Sequence, residues 1–395
     1  MLLFKFKYYC EEFITNFKNV RVHFNVKYKI LHVVSTLGYG GVSKVVLNYY
    51  ENIDHSKYQF DFITHGGKED FHENLIENGS NIFYIKTIKK SNLISYIKNG
   101  LKILRENGPY DAVHVHTDYQ AGIFALIAKI AGVKIRICHS HRIDVPNKIA
   151  RYLTPIFRKL MVISATKLVA CSNEAGKFLF GNKDFTIIKN AIDLNLFKQP
   201  TVSEKENLRC EFNIDQGWNG LIIGHVGNFN EVKNQEFFLP VIEALSNRNI
   251  DFKLIFVGDG PLKNKLKDDF ERLGFKDKVI FAGIRNDIPS MMHLFDVFVL
   301  PSKFEGLGIV AIEAQAAGTP CVVSDTTPNE SDMGLSLIRY IDLKVNINLW
   351  VEEILKSYNE KIYHSPEEIN KQVSKKGYNI KNTVDDLLEL YSIAK

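Results

Sequence analysis

Two glutamates eight residues apart, Glu305 and Glu313, bracket the run Glu305-Gly306-Leu307-Gly308, which leads from a short apolar stretch at 297–300 into an apolar segment of helical period. That spacing puts the first carboxylate in a loop and the second inside a helix. Glycines let a ligand approach the backbone, and the free N–H groups and dipole at a helix start favour an anion such as a diphosphate. A carboxylate inside an apolar helix is costly unless it is paired or meets a hydroxyl-rich partner, and a ribose is such a partner. The bland readings are a solvated helix residue for Glu313 and an ordinary loop charge for Glu305.

Other residues fall at comparable places. Lys233 and Asn228 lie in the loop after a strand-like run at 221–226, and His116 ends a run at 112–116. Gly38, Gly40 and Gly41 follow a run at 30–35, and Arg285 follows one at 279–282. An anionic ligand such as a diphosphate needs fixed positive charge and oriented donors. Because the chain contains no Asp-x-Asp to hold a metal, Lys233 and helix dipoles are expected to supply that charge, with no metal and no cofactor. His114, two residues before His116, is expected to turn the other way into the core. His139 and His141 are left without assigned roles. The glycine turn lacks the Gly-x-Gly-x-x-Gly spacing and following acid of a dinucleotide oxidoreductase.

The elements that position these loops follow from periodicity. Short runs rich in Ile, Val and Phe alternate with helical segments from residue 29 onward, the pattern of βαβ units and a parallel sheet. At 395 residues the chain suits two such cores rather than one. Expected strands in the first are 30–35, 60–64, 81–85, 112–116, 134–138 and 167–171, and in the second 221–226, 253–257, 279–282, 297–300 and 320–324. A polar stretch at 193–217 interrupts the alternation. The expected division is an extension over 1–28, a first Rossmann-like domain over 29–195, a linker over 196–217, a second domain over 218–376 and a terminal helix over 377–395. In open parallel sheets ligands bind beyond the carboxyl ends of the strands, so two such sheets facing one another would make a cleft there.

Composition excludes several classes. Apolar residues are 45% and charged residues 24%, the balance of a globular protein. No run approaches a membrane span and no signal peptide is recognisable, so a cytoplasmic protein is expected. Cys10, Cys138, Cys171, Cys210 and Cys321 show no Cys-x-x-Cys and read as reduced core residues. Positive charge is concentrated in Arg142, Lys148, Arg151, Arg158, Lys159 and Lys167, with only Asp144 against it, interleaved with Ile149, Tyr152, Leu153, Ile156, Phe157 and Leu160. Such a segment can rest on an anionic membrane surface at the inner face of the cell membrane, the alternative being a solvated face over a buried stripe. Nucleic acid is a poor partner, because the charge is local and no binding module is present.

The Glu-x7-Glu element, with Gly40-Gly41-Val42, Val113-His114-Val115-His116, Gly224-His225-Val226-Gly227, Glu231-Val232-Lys233-Asn234 and Val257-Gly258-Asp259-Gly260-Pro261 in order, resembles family 4 of the retaining glycosyltransferases. The resemblance runs from Lys29 to about Lys376. It implies the α/β GT-B fold, two Rossmann-like doubly wound domains, and transfer of a hexose-type sugar from a nucleotide-sugar donor, a UDP-sugar foremost. Bacterial capsule and exopolysaccharide members imply a lipid-linked or saccharide acceptor.

By the same resemblance Glu305 contacts sugar hydroxyls, Glu313 the ribose and Lys233 the diphosphate, with Gly306, Leu307 and Gly308 lining the donor. His116 lies near the reacting carbon, Gly41 lets the backbone close on the phosphate, and Arg285 is a lesser candidate near base or phosphates. One departure stands out: Asn228 occupies the place of the arginine the family usually carries. A nucleotide-sugar epimerase of the same fold and a non-catalytic GT-B subunit are the rival readings.

Overall fold

The computed structural model describes residues 27–38, 40–69, 71–142, 148–215, 217–360 and 362–392, and the side chains of 148–151 are outside that description. Residues 1–26 of the expected extension also lie outside it. The chain divides into two compact units, one comprising 1–140, 144–187 and 390–395, the other 141–143 and 188–389.

The first unit holds β1 (Tyr28–Val34), β2 (Tyr58–Thr64), β3 (Ile82–Tyr84), β4 (Ala112–Val115), β5 (Ile135–Ser140), β6 (Lys167–Ala170) and β7 (Thr186–Ile187). They form a sheet in the order β3-β2-β1-β4-β5-β6-β7, and every pairing is parallel. The second unit holds β8 (Leu221–Val226), β9 (Phe252–Val257), β10 (Val279–Gly283), β11 (Val297–Leu300), β12 (Cys321–Ser324) and β13 (Ile338–Ile341). Their order is β10-β9-β8-β11-β12-β13, also parallel throughout. Each sheet is therefore doubly wound, with its order reversing beside the first strand of the unit, between β1 and β4 and between β8 and β11.

Burial explains why the strands are so apolar. In the second unit Ile222, Ile255, Phe298 and Val323 pack into a core on one face of the sheet, while Leu221, Ile223, Leu254, Phe256 and Val299 pack into a core on the other. A parallel strand covered on both faces must be apolar at odd and even positions alike. Two strands absent from the sequence reading, β7 and β13, are edge strands of two and four residues whose side chains are exposed or half-buried. They lack the apolar run that marks the others. The stretch expected as a plain linker carries a helix, Val202–Glu211, opened by a capping box between Thr201 and Glu204. That Thr-x-x-Glu pattern was a legible start signal. Cys138, Cys171 and Cys321 are buried and free as expected, whereas Cys210 is exposed. Cys10 lies outside the described residues.

The basic segment differs from its expected form. Its helix, Lys148–Ser164, buries Thr154, Met161 and Ser164 and exposes Tyr152 (83%), Ile156 (65%) and Ile163 (54%). Arg158 is committed to the carbonyl oxygens of Phe178 and Leu179 at 2.8 and 3.0 Å, at the end of the helix Asn173–Phe180. Lys167 donates to the carbonyl of Leu390 at 2.7 Å. Neither cation belongs to a solvated basic face; the outward surface is an apolar stripe with Lys159. No described helix is long and apolar enough to cross a membrane.

Candidate active site

In the second unit the two loops at the β8/β11 switch point are stitched together. Asn230 accepts the backbone N–H groups of Val232 and Lys233 through Oδ1, both at 3.0 Å, which turns the chain after β8 and presents Lys233. Asn234 donates to the carbonyl of Pro301 at 3.0 Å, and Lys303 N–H to the carbonyl of Val232 at 2.8 Å. Between them Lys233 Nζ meets Glu305 Oε1 at 2.6 Å, the lysine 21% and the glutamate 9% exposed at their side chains. The loop carrying Glu305 is braced from behind. Ser324 and Thr326 both donate to the Ser302 carbonyl, at 2.6 and 2.7 Å.

Gly308 precedes the helix Ile309–Ala316 in the left-handed region at φ 75°. A Cβ there would lie 2.9 Å from Thr327 Cγ2, so glycine answers both a conformational and a steric demand. The helix start has no acidic residue and no side-chain cap; Ala311 N–H donates to the Gly308 carbonyl at 2.8 Å, and the N–H groups of Ile309 and Val310 before it are the ones that can meet an anion. Glu313 is on this helix and 9% exposed. Gln315 anchors the helix by donating to the Ser331 carbonyl at 2.7 Å and accepting from Met333 N–H at 3.0 Å. Gly306 is exposed and Leu307 half-buried.

Asn228 is exposed on the β8 loop, against Gly260, where a Cβ would fall 2.3 Å from its Oδ1. Arg285 is not gathered with Lys233 and Glu305. Its guanidinium makes two hydrogen bonds to Asp287, at 2.7 and 2.6 Å, and pairs with both carboxylate oxygens of Glu211. Those acids hold it as a structural clamp onto the helix Val202–Glu211, an element missing from the sequence reading.

In the first unit His116 follows β4, is 1% exposed, and donates its backbone N–H to the Val33 carbonyl at 2.8 Å. The expectation that His114 turns away from it is wrong. Residues two apart on a strand share a face, and the two rings stack with centroids 4.2 Å apart. The core assignment of His114 holds, since it is fully buried. His32 and His139 are fully buried too, in contact with these rings. Burial pushes the His32 pKa down to about 3. Ligating atoms of His32, His114 and His116 lie within 4.8 Å of one another. His141, which belongs to the second unit with Asn190, is buried, its Nδ1 3.2 Å from Asn190 Oδ1, and burial lowers its pKa to about 4. Gly41 opens the helix Gly41–Asn52, and a Cβ on it would meet nothing within 4 Å. No packing demand explains that glycine.

Two doubly wound parallel sheets, with a lysine–carboxylate pair beside a bare helix N-terminus on the switch-point loops of one, define the GT-B class of glycosyltransferases. Residues 211–375 match the family described as Glycosyl transferases group 1, and residues 39–196 match Glycosyltransferase Family 4. EpsF of Bacillus subtilis (strain 168), which carries the name of a glycosyltransferase, is 37% identical over 376 residues, covering 93% of this chain and 97% of EpsF. The chain therefore belongs to glycosyltransferase family 4.

An Escherichia coli relative named UDP-Gal:alpha-D-GlcNAc-diphosphoundecaprenol alpha-1,3-galactosyltransferase is 24% identical, over 92% of this chain and 97% of its own. The crystal structure of Anabaena HepE in complex with UDP and glucose superimposes with a TM-score of 0.73 at 18% identity, covering 93% of this chain and all of that one (100%). That likeness is one of fold.

Proposed function

We propose that this glycosyltransferase transfers a hexose-type sugar from a UDP-sugar, with retention of anomeric configuration, to a lipid-linked or saccharide acceptor in surface polysaccharide synthesis. The observation that carries the reading is the Lys233–Glu305 pair at 2.6 Å beside the open start of the helix Ile309–Ala316. A diphosphate arriving at that helix start competes with Glu305 for Lys233. The carboxylate it displaces becomes available to sugar hydroxyls. Lys233 and the helix N–H groups then stabilise the negative charge that grows on the leaving group. Attack comes from the face the leaving group vacates, and a donor phosphate oxygen accepts the acceptor's proton. The family resemblance assigns Glu313 to the ribose and His116 to the donor sugar.

Metal independence is part of the proposal. It rests on the lysine–helix pairing as the source of positive charge. The name of the E. coli relative, which specifies UDP-Gal and a diphosphoundecaprenol acceptor, supports the donor and acceptor classes. The outward stripe Tyr152, Ile156 and Ile163 with Lys159 supports a peripheral contact with an anionic membrane, driven more by apolar insertion than by charge.

The test is product analysis with the purified chain, UDP-, GDP- and ADP-sugars and a polyprenyl-diphosphate sugar, with excess chelator present. Transfer from a UDP-sugar is expected. A changed sugar without acceptor would indicate the epimerase instead. Donor left intact under every condition would favour the non-catalytic subunit, the reading that the uncharged Asn228 supports. For the membrane contact, a Tyr152→Ser, Ile156→Ser double variant should release the protein from phosphatidylglycerol vesicles more than Lys159→Gln does.

A further inference from the structure

The pairing of β8 with β11 stops at Gly224 and Phe298, short of the ends of both strands. Beyond it, side chains join the end of β11 to the loop after β8. The His225 ring is fully buried, which pushes its pKa down to about 3 and keeps it neutral near pH 7. Its Nδ1 donates to the Val299 carbonyl at 2.9 Å. Gln235 Nε2 lies 3.3 Å from His225 Nε2 and donates to the Asn228 carbonyl at 3.0 Å. The directions follow from the two ends, since a carbonyl only accepts. A Gln235 amide turned the other way would set its oxygen against that of Asn228.

On its other side the loop is bonded to the end of β9. Gly227 N–H donates to the Val257 carbonyl at 2.9 Å, and Phe229 N–H to that of Asp259 at 3.0 Å. The Gly227 carbonyl is turned the same way, because a Cβ on Gly258 would fall 2.2 Å from its oxygen. In a trans peptide the N–H points opposite to the C=O. The Asn228 N–H is thereby aimed away from β9, to the side on which β11 and its loop lie. Among the described residues it makes no hydrogen bond, and Asn228 is exposed. Lys233 runs beside it, with Cγ and Cδ each 3.4 Å from where a Cβ on Gly227 would be.

We propose that the backbone N–H of Asn228 binds the donor's diphosphate beside Lys233, and that Gln235 is a positioning residue that holds it there.

The inference rests on the reading of the Lys233 loop as the site of the diphosphate. The side chain at 228 brings no charge, and its Oδ1 lies over Gly260, turned toward the loop after β9. The main chain of the same residue offers an oriented donor, and a phosphate oxygen accepting from it makes a charge-assisted hydrogen bond. Two features hold that donor in place. Gly258, at φ 133°, leaves room for the Gly227 carbonyl, which fixes the peptide that carries the Asn228 N–H. Gln235, 3% exposed and itself steadied by His225, fixes the peptide that follows. With Gln235 removed, Asn228 is held from one side only.

The test is an NMR titration of full-length protein labelled with 15N-asparagine, with UDP and separately with uridine. The Asn228 amide signal is assigned by its loss in Asn228→Gln. UDP should move that signal downfield, and uridine, which has no phosphate, should leave it near its free position. This titration decides the N–H contact in the wild type whether or not any variant folds. Gln235→Leu keeps the side-chain bulk and removes both hydrogen bonds. It should weaken UDP about threefold to tenfold, hold uridine within about twofold, and shrink the shift that UDP induces. A merely structural Gln235 would weaken both ligands alike or neither, and that result would overturn the positioning role. So would a weaker UDP with the full shift retained, which would trace to Lys233 instead. UDP bound with the Asn228 signal unmoved would overturn the contact and leave the proposed function standing. No binding of UDP at all would overturn both.

Discussion

The two switch points of this molecule handle polarity in opposite ways. At β8 and β11 a charged pair, Lys233 and Glu305, is carried on loops fastened by backbone hydrogen bonds and left partly open to solvent. At β1 and β4 the polar groups are histidines, fully or almost fully buried, which meet one another and a tyrosine. The difference teaches where each kind of chemistry belongs. Under the proposed function, a diphosphate would be met by charge that exists before it arrives, whereas buried rings are held in orientation by their packing.

The sharpest way to break this comparison is to remove the charge. Lys233→Ala should lower kcat by about 10²- to 10³-fold, the scale of losing one stabiliser of the developing anion. Thermal unfolding should stay close to wild type, and a loss below about tenfold would mean that the charged switch point is not the centre of leaving-group stabilisation. Next, the two glutamates should separate. Glu313→Gln should weaken bare UDP as well as donor, by roughly 10- to 150-fold, the range of a lost charge-assisted hydrogen bond. Glu305→Gln should leave bare UDP binding nearly intact while lowering turnover. Equal effects on UDP in calorimetry would refute the division.

In acid the two halves should converge, because each buries a histidine, His32 and His225, with its pKa lowered to about 3 by burial. The folded ring refuses a proton that the unfolded chain accepts below its ordinary value near 6.5. Stability is therefore undiminished above that pH and falls as pH drops from there toward about 3. Between pH 7 and pH 5 the loss should be about 2 kcal/mol for each ring. Urea unfolding at the two pH values measures it, and His32→Gln should shrink the difference.

The smallest contrast is between glycines. Gly308→Ala should cost roughly 1 to 2 kcal/mol of stability for its left-handed backbone and the Thr327 contact. Gly41→Ala should stay within about 0.5 kcal/mol of wild type yet lose activity. Full activity in Gly41→Ala would show that no ligand approaches that turn.

Much of the site was legible because its parts are local. Glycines, a carboxylate and a helix start in one run announce a loop after a strand, and Glu305, Gly308 and Glu313 stand where that pattern puts them. Lys233 was found the same way. The acidic partner of Arg285 was not legible, because Glu211 sits 74 residues earlier, on a helix whose capping box went unused. His32 was overlooked, since a lone histidine in an apolar strand carries no signal of its own. Tyr391 lies on the expected terminal helix, where nothing local announces its buried partners.

By itself, then, the sequence determined the alternation of strands and helices, the two cores and the loops that carry charge, because periodicity and turn chemistry act over a few residues. Only the tertiary structure decided that Lys233 meets Glu305 across 72 positions, that Arg285 is clamped by acids, and that His32, His114 and His116 pack ring against ring. It also decided that the helix Lys148–Ser164 turns its apolar stripe outward. Those outcomes depend on which strands become neighbours and which helix face finds a covering layer. The physical reason is that burial and long-range pairing belong to the packed sheet order, which no stretch of a dozen residues contains.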